Sequence, residues 1–380
     1  MDKLRIPFNK PYLTGKEMHY MYQAIYSGKI SGNGMFTQKC HGYFEQRFGF
    51  KKVLLTTSCT DALEMCAILA DIKPGDEVIM PSYTFVSTAL AFVRQGAKIA
   101  FADSRSDNPN IDADHIEGLI NERTRAIVPV HYAGISADMD KIIALADKYR
   151  LLVIEDAAQG IDSFYRGKPL GTIGHLAAFS FHETKNINAG EGGMLAINDE
   201  RFIKRAEIIW EKGTNRSEFF RGEVNKYGWV DTGSSFLPSE IIAAYLYAQL
   251  ENLDDIQKRR KKIWETYYEG LSGWSKENGI MLPFIPDYAT NNGHMFYMVF
   301  NDISERTRMI DQLKKNSIHS VFHYLSLHKS QFYNDKYEGS ELPNTDHYTD
   351  CLLRLPLFFE LTDEDLEKII ETVKSVNLNS

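Results

Sequence analysis

The sequence predicts an α/β protein, with a mostly parallel sheet and a smaller α+β domain after it. Three observations predict this. Between about residues 50 and 200, short apolar runs alternate with helical patterns, as in sheets covered by helices on both faces. Between 200 and 270, long helical patterns replace that alternation. From about 273 onward, strands and helices mix again on a smaller scale.

The elements follow in order. Val53-Leu54-Leu55 reads as a strand before a helix over 61–70. Pro74-Gly75-Asp76 marks a turn, and the strand Val78-Ile79-Met80 follows it. A helix over 87–94, a strand over 98–101, a strand over 126–130 and a helix over 139–148 continue the alternation. Leu151-Leu152-Val153-Ile154 is a buried strand, and residues 175–181 form another. Residues 240–250 and 254–269 read as long helices. The second is charged on one side and carries Ile256, Ile263, Trp264 and Tyr267 on the other. The last region has strands at 295–300 and 320–324, with helices over 306–315 and 363–375. The expected division is an amino-terminal arm over 1–45, a large α/β domain over 46–250, a linking helix over 251–272 and a small α+β domain over 273–380. The arm is expected to pack back on the small domain or on a partner subunit.

Composition bounds the function. The 380 residues can bury a large core. The 43% hydrophobic and 25% charged fractions are those of a soluble globular protein. A net charge of −8 excludes a general affinity for nucleic acid, though a local basic pocket stays compatible with it. The longest apolar stretch, 78–93, is interrupted by Pro81, Ser82, Thr84, Ser87 and Thr88, and makes a poor membrane span. The first residues lack the apolar run of a signal peptide and the last lack a lipidation motif, so a cytoplasmic protein is expected. Cys40, Cys59, Cys66 and Cys351 form no C-x-x-C pair. Reduced thiols are expected, with no metal site.

The chemistry gathers at two strand ends. Asp156 closes the 151–154 strand, at the edge where open α/β sheets place ligands. Lys185 follows the 175–181 strand and reaches the same edge. Alone, Asp156 reads equally as a helix cap or surface turn, and Lys185 as a solvated lysine. Together they suit pyridoxal phosphate. The amine forms a Schiff base, and the carboxylate keeps the pyridine nitrogen protonated so that the ring accepts electrons.

Further parts support that reading. Residues 57–63, Thr-Ser-Cys-Thr-Asp-Ala-Leu, join a strand to a helix and suit a phosphate; an ordinary N-cap is the plainer alternative. Ser180 adds a hydroxyl from the neighbouring strand. Phe85, in Pro81-Ser82-Tyr83-Thr84-Phe85-Val86, could stack on the ring or simply fill the core. The loop Ala189-Gly190-Glu191-Gly192-Gly193 lets backbone approach the site, or is a plain turn. It lacks the G-K-[ST] ending of a P-loop.

At these residues the chain resembles the DegT/DnrJ-type nucleotide-sugar aminotransferases. The resemblance runs from Ile6-Pro7-Phe8-Asn9 to Arg354-Leu355-Pro356-Leu357-Phe358. Its longest runs include residues 75–88, 128–134, 179–186 and 211–217. It implies the type I PLP-dependent transferase fold, with a mostly parallel seven-stranded sheet and a smaller C-terminal α+β domain. It assigns Lys185 the covalent link to the cofactor, Asp156 the pyridinium contact and Gln159 the contact to the phenolic oxygen. Phe85 receives the ring stack, and Cys59, Thr60 and Ser180 the phosphate. Most relatives have Asn where Gly233-Ser234-Ser235-Phe236-Leu237 places Ser235, and use it on the neighbouring subunit's cofactor phosphate.

A homodimer with shared active sites is implied, with L-glutamate and a dTDP-linked keto sugar as substrates. The resemblance is greatest to members that aminate C4 of dTDP-4-keto-6-deoxy-D-glucose to the galacto product. The gluco epimer and a 3-keto substrate stay open. Arg216, Arg221 and Lys226 are candidates for the nucleotide diphosphate, with surface charge as the plainer alternative. His323, Tyr324 and His328 are placed near the substrate, buried histidines being the alternative there; relatives usually have Pro where Ser326 stands. Dehydratase relatives replace the lysine with histidine, and a non-catalytic sensor should lose one of Asp156, Gln159 or Lys185. All three are present.

Overall fold

The computed structural model describes residues 5–378. Met1–Leu4, part of the expected arm, and the last two residues of the expected small domain lie outside the described residues. So do parts of both chain ends read above for signal and lipidation motifs.

A seven-stranded sheet runs in the order Lys52–Thr56, Gly193–Ile197, Leu176–Ser180, Leu152–Asp156, Thr124–Ile127, Glu77–Pro81, Lys98–Ala102. Only Gly193–Ile197 runs antiparallel to its neighbours; the remaining neighbouring pairs are parallel. The mostly parallel seven-stranded sheet is therefore present. Alternate residues serve opposite faces. Leu54, Ala178, Leu195 and Ile197 pack under the helices Cys59–Leu69 and Ile203–Trp210. Val53, Leu55, Ala177, Phe179 and Met194 pack under Met35–Phe48 and Glu240–Leu250. Burial on both faces explains why these strands read as apolar runs rather than alternating ones.

The stretch expected as an arm is instead largely two helices, Glu17–Tyr26 and Met35–Phe48, packed on Glu240–Leu250. The 45/46 boundary falls inside the second. Its N-cap is Gly34, which has no side chain to signal a helix start. The cap comes from elsewhere. The buried Glu240 carboxylate accepts from the N–H groups of Gly34 (2.8 Å), Phe36 (2.7 Å) and Thr37 (3.1 Å). A cap supplied by another helix leaves no local mark in the sequence. Ahead of these helices, Ile6 bridges to Ile318 in the carboxyl-terminal region.

The 272/273 boundary also falls inside a helix, which runs over Leu253–Asn278. Gly270 and Gly273 both lie within it, although glycine is a poor helix former. Gly270 is instead a packing position. A Cβ there would lie 2.8 Å from Ile370 Cδ1, on the helix Asp363–Lys374. Three antiparallel strands, Phe296–Val299, Leu352–Leu355 and Val321–Phe322, form a second sheet with Leu352–Leu355 in the middle. Among the described residues no helix is long and apolar enough to cross a membrane.

Candidate active site

Strand register brings Asp156 opposite Ala178, so the Asp156 and Ser180 strand ends lie side by side. Asp156 is 5% exposed. Its Oδ1 accepts the Ala158 N–H at 3.1 Å, and its Oδ2 accepts the Thr88 hydroxyl at 2.6 Å. A carboxylate has about four lone-pair sites, so acceptor capacity remains. Burial pushes the Asp156 carboxyl above the usual range, while Thr88, Ala158 and Lys185 oppose that rise.

The adjacent Glu155 differs. Its carboxylate takes the N–H groups of Gly171, Ile173 and Gly174 at 2.7, 2.8 and 2.6 Å, and His131 Nε2 lies 2.9 Å away. Glu155 is thus consumed in holding the 171–174 turn, and Asp156 alone keeps bonding capacity for a ligand. Thr88→Val should remove one of Asp156's two donors and lower kcat about tenfold. Unchanged steady-state kinetics would deny Thr88 this role.

Lys185 leaves a braced turn. Its N–H donates to His182 O (2.9 Å), Glu183 N–H to Gly190 O (2.9 Å) and Ala189 N–H to Phe181 O (2.8 Å). The next residue, Asn186, donates to Gln257 Oε1 and Asn292 O at 2.8 and 2.9 Å, and its Oδ1 lies 2.8 Å from His294 Nδ1. The turn is thereby tied to the Leu253–Asn278 helix. Partial burial holds the Lys185 ammonium below the usual lysine range, against the pull of Cys59 and Asp156. A neutral amine is what proton transfer requires.

A phosphate cup lies beside this pair. Ser58 Oγ accepts the Asp61 N–H at 3.1 Å and Ser58 O accepts that of Ala62 at 3.3 Å. The Cys59 and Thr60 N–H groups at the helix start have no intrahelical acceptor and suit an anion. Thr60 Oγ1 meets Ser87 Oγ at 2.7 Å, adding a buried hydroxyl. Gly193 faces the cup: a Cβ there would lie 2.3 Å from Ser58 C and 2.4 Å from Cys59 N. Gly193→Ala should displace the cup and raise the dissociation constant of added pyridoxal phosphate at least about tenfold. Wild-type affinity in a spectral titration would refute the close-approach argument.

Gln159 forms the other side. Its Oε1 accepts the Ala133 N–H at 2.6 Å and its Nε2 donates to the Tyr324 hydroxyl at 3.0 Å. This fixes the amide, with a second Nε2 hydrogen to spare. Tyr324 has φ of 44°, an uncommon conformation for an aromatic residue. The His323 ring stacks on Tyr324 with centroids 3.5 Å apart, and His323 Nδ1 lies 2.7 Å from the Tyr132 hydroxyl. Burial holds His323 well below the usual histidine range, hence neutral. Phe85 does not fill the core. It is 55% exposed at the start of the helix Val86–Val93, its ring 6.2 Å from that of Tyr324.

Pyridoxal phosphate fits this donor set. N–H groups and hydroxyls await its phosphate, a carboxylate with spare acceptor capacity its ring nitrogen, and a lysine of lowered basicity its carbonyl.

The remaining expected residues are placed differently. Ser235 is exposed, next to Phe236, whose carbonyl accepts the Thr57 N–H at 2.9 Å. His328 is held by Ser82 Oγ at 2.8 Å, Asp346 and the Tyr337 ring, none of them residues around Lys185. Arg216 faces Glu211 at 3.9 Å, Arg221 pairs with Glu207 and Glu223, and Lys226 is exposed. Within the chain these basic residues are not gathered with Asp156 and Lys185. Sequence reasoning missed Thr88, Ser87, Tyr132 and Asn186. The signal for the first two was present: Ser87 and Thr88 are buried polar residues in an otherwise apolar helix.

The sequence signature of the DegT/DnrJ/EryC1/StrS aminotransferase family matches residues 11–374. The chain is 32% identical over 379 residues to the uncharacterized protein MJ1066 of Methanocaldococcus jannaschii, covering 98% of this chain and 97% of that one. It is 32% identical over 380 residues to the spore coat polysaccharide biosynthesis protein SpsC of Bacillus subtilis, with the same coverage. The proposed sugar aminotransferase Spr1654 of Streptococcus pneumoniae has been solved in PMP and PLP forms. It superposes with TM-scores of 0.91 and 0.89 at 26% identity, covering 98% and 97% of this chain and 98% of that chain in both forms. The fold is the type I PLP-dependent transferase fold.

Proposed function

This chain belongs to the DegT/DnrJ/EryC1/StrS aminotransferase family, and from that premise we propose the activity of a dTDP-4-amino-4,6-dideoxygalactose transaminase. The coarser statement is that it is a sugar aminotransferase using pyridoxal phosphate. The finer reading has L-glutamate donate its amino group to C4 of dTDP-4-keto-6-deoxy-D-glucose, giving dTDP-4-amino-4,6-dideoxy-D-galactose. That product would serve surface polysaccharide synthesis, such as enterobacterial common antigen or lipopolysaccharide. The observation that carries the chemistry is the juxtaposition of Asp156, which keeps acceptor capacity, and Lys185, of lowered basicity, beside the Ser58–Thr60 cup. The substrate rests on the long sequence runs given above.

The bound cofactor supplies a carbonyl for the amine and a protonated ring that accepts electrons. Lys185 would take and return the proton of the substrate carbon, and burial favours the neutral amine this needs. Asp156 holds the proton on the ring nitrogen, positioned by Thr88 and Ala158. Gln159 Nε2 donates to the phenolic oxygen. The Cys59 and Thr60 N–H groups, with the Thr60 and Ser180 hydroxyls, would hold the phosphate, and Phe85 would cover the ring. In a homodimer, Ser235 would reach the neighbouring subunit's phosphate. Arg216, Arg221 and Lys226 would serve its nucleotide diphosphate, and His323 and Tyr324 the sugar. His328 holds the 323–328 segment against Ser82. We place this work in the cytoplasm.

The test is the visible spectrum of the purified protein, before and after glutamate and then with dTDP-4-keto-6-deoxy-D-glucose. A band that bleaches with glutamate and returns with the keto sugar supports both halves, and NMR of the product assigns the C4 epimer. A band that bleaches but is not restored keeps the aminotransferase and rejects this sugar, leaving a 3-keto substrate to try. A protein colourless with added pyridoxal phosphate rejects the catalytic reading.

A further inference from the structure

We propose that Asn292 is a positioning residue, whose one buried amide sets Gln159 and the Lys185 turn against each other. The assignment rests on the aminotransferase reading above and deepens it. Asn292 is fully buried, so it touches no ligand and acts through other residues. Its Nδ2 donates to Gln159 O and to Ile161 O, each at 2.8 Å. Its Oδ1 accepts the His294 N–H at 3.0 Å. Carbonyls only accept and a backbone N–H only donates, so the amide can face one way only.

The Gln159 side of this grip is direct. Asn292 holds the Gln159 backbone carbonyl, and the Ala133 N–H holds the Gln159 side chain. Those two holds are themselves joined, because Gly134 packs on the Asn292 amide, where a Cβ would collide with Oδ1. The Lys185 side runs through two steps. The bond from His294 N–H to Oδ1 closes an Asx turn, which fixes the direction of the Asn292 carbonyl and of His294. Asn292 O accepts Asn186 Nδ2 at 2.9 Å, and His294 Nδ1 lies 2.8 Å from Asn186 Oδ1. Asn186 is thus held at both ends of its amide, and it directly follows Lys185.

The block that carries Asn292 is fixed from behind. The helix Leu253–Asn278 presents Gln257 and Arg260 on one face. Gln257 accepts from Asn186, while Arg260 Nε and Nη2 donate to Gly293 O and His294 O at 3.0 and 2.8 Å. Gly293, with φ of 63°, lets the chain press on this helix: a Cβ there would lie 2.7 Å from Arg260 C. With the block immobile, removing the Asn292 amide leaves the Gln159 and Ile161 carbonyls buried without this donor. The 159–161 turn can relieve that only by moving, and Gln159 moves with it.

The test is a double-substitution cycle of wild type, Asn292→Ala, Gln159→Ala and the pair, each loaded with pyridoxal phosphate, with thermal melts to check the fold. The readout is the pH midpoint of the visible band of the lysine-bound cofactor. Gln159 Nε2 draws negative charge onto the phenolic oxygen and away from the protonated link, so its loss should raise the midpoint. A rise of about one unit, a tenfold change in proton affinity, is expected for Gln159→Ala. Asn292→Ala should raise it by at least about half as much, and the pair no further than Gln159→Ala alone, because coupled residues are not additive. Asn292→Ala should also lower kcat about ten- to a hundredfold by displacing the reacting groups, with the KM for glutamate changed less than about twofold. A lower melting temperature with a wild-type midpoint would show that Asn292 serves the fold alone, and would overturn the assignment. Additive midpoint shifts, or a wild-type midpoint in Gln159→Ala, would overturn it as well. If Asn292→Ala does not fold, Asn292→Ser decides by the same midpoint, since one hydroxyl cannot serve both carbonyls. If wild type is bleached by glutamate and Asn292→Ala matches it in midpoint and rate, this assignment fails alone. A wild type that forms no visible band removes the functional reading and the assignment together.

Discussion

Lys185→Arg leaves a folded protein without turnover. The guanidinium keeps the positive charge and occupies similar space, so stability should change little. It stays protonated at any working pH, so it can neither link to the cofactor carbonyl nor accept a proton from the substrate carbon. General acid–base transfer alone is worth about 10²–10⁴ in rate, and loss of the covalent link adds to that. The expected fall in kcat is therefore at least about 10⁴-fold, with the visible band of the lysine-bound cofactor gone. Lys185→Ala separates the two losses. Removing the side chain should admit a small amine, and added methylamine should restore part of the rate by serving as the proton carrier. Measurable transamination by Lys185→Arg without added amine would end the assignment.

How much of this was legible beforehand depended on where each signal resides. Asp156 and Lys185 were legible because sheet topology is written locally: a buried strand ends, and the next residues reach the ligand edge. The strands 152–156 and 176–180 were read from runs of four and seven residues that hold four and five apolar side chains, and their parallel pairing followed from the βα alternation. The strand Gly193–Ile197 was hidden because its first residue reads as part of a glycine loop, although all five residues are buried. Gly193 serves both descriptions, opening a strand and letting Ser58 and Cys59 approach. The helix Met35–Phe48 was hidden because its cap is Glu240, reached only after folding. The partner of Thr88 was hidden for a related reason. Thr88 meets Asp156 across the fold, 68 positions away in the chain. Nothing beside Thr88 in the chain names that partner. The basic residues 216, 221 and 226 illustrate the opposite case. Charge was visible, but the acidic partners of Arg216 and Arg221, namely Glu211, Glu207 and Glu223, were not.

Asp156→Asn should make the cofactor-free protein more stable and the enzyme nearly inactive. The two effects share one cause. Asp156 sits almost out of water, and burial raises its carboxyl above the value it would have in the unfolded chain. The folded protein then holds its proton more tightly than the unfolded chain does. Well below the unfolded value, about 3.9, both states are protonated and nothing is lost. As pH rises through the raised folded value, the folded state must keep a poorly solvated carboxylate, and the full cost is present at neutral pH. Asparagine carries no such charge and still accepts from Ala158. Its apoprotein should melt above wild type at neutral pH, and the gap should close as pH falls toward about 4. On the proposed reading the carboxylate is retained at this cost because it would face the protonated ring nitrogen of the bound cofactor. Without it the ring nitrogen loses its proton, and kcat should fall about 10²–10³-fold, as for other preorganised electrostatic partners. Adding pyridoxal phosphate should therefore reverse the order of melting temperatures, stabilising wild type more than Asp156→Asn. A variant that melts below wild type at neutral pH without cofactor, by a margin independent of pH, would show that Asp156 serves the fold rather than the cofactor.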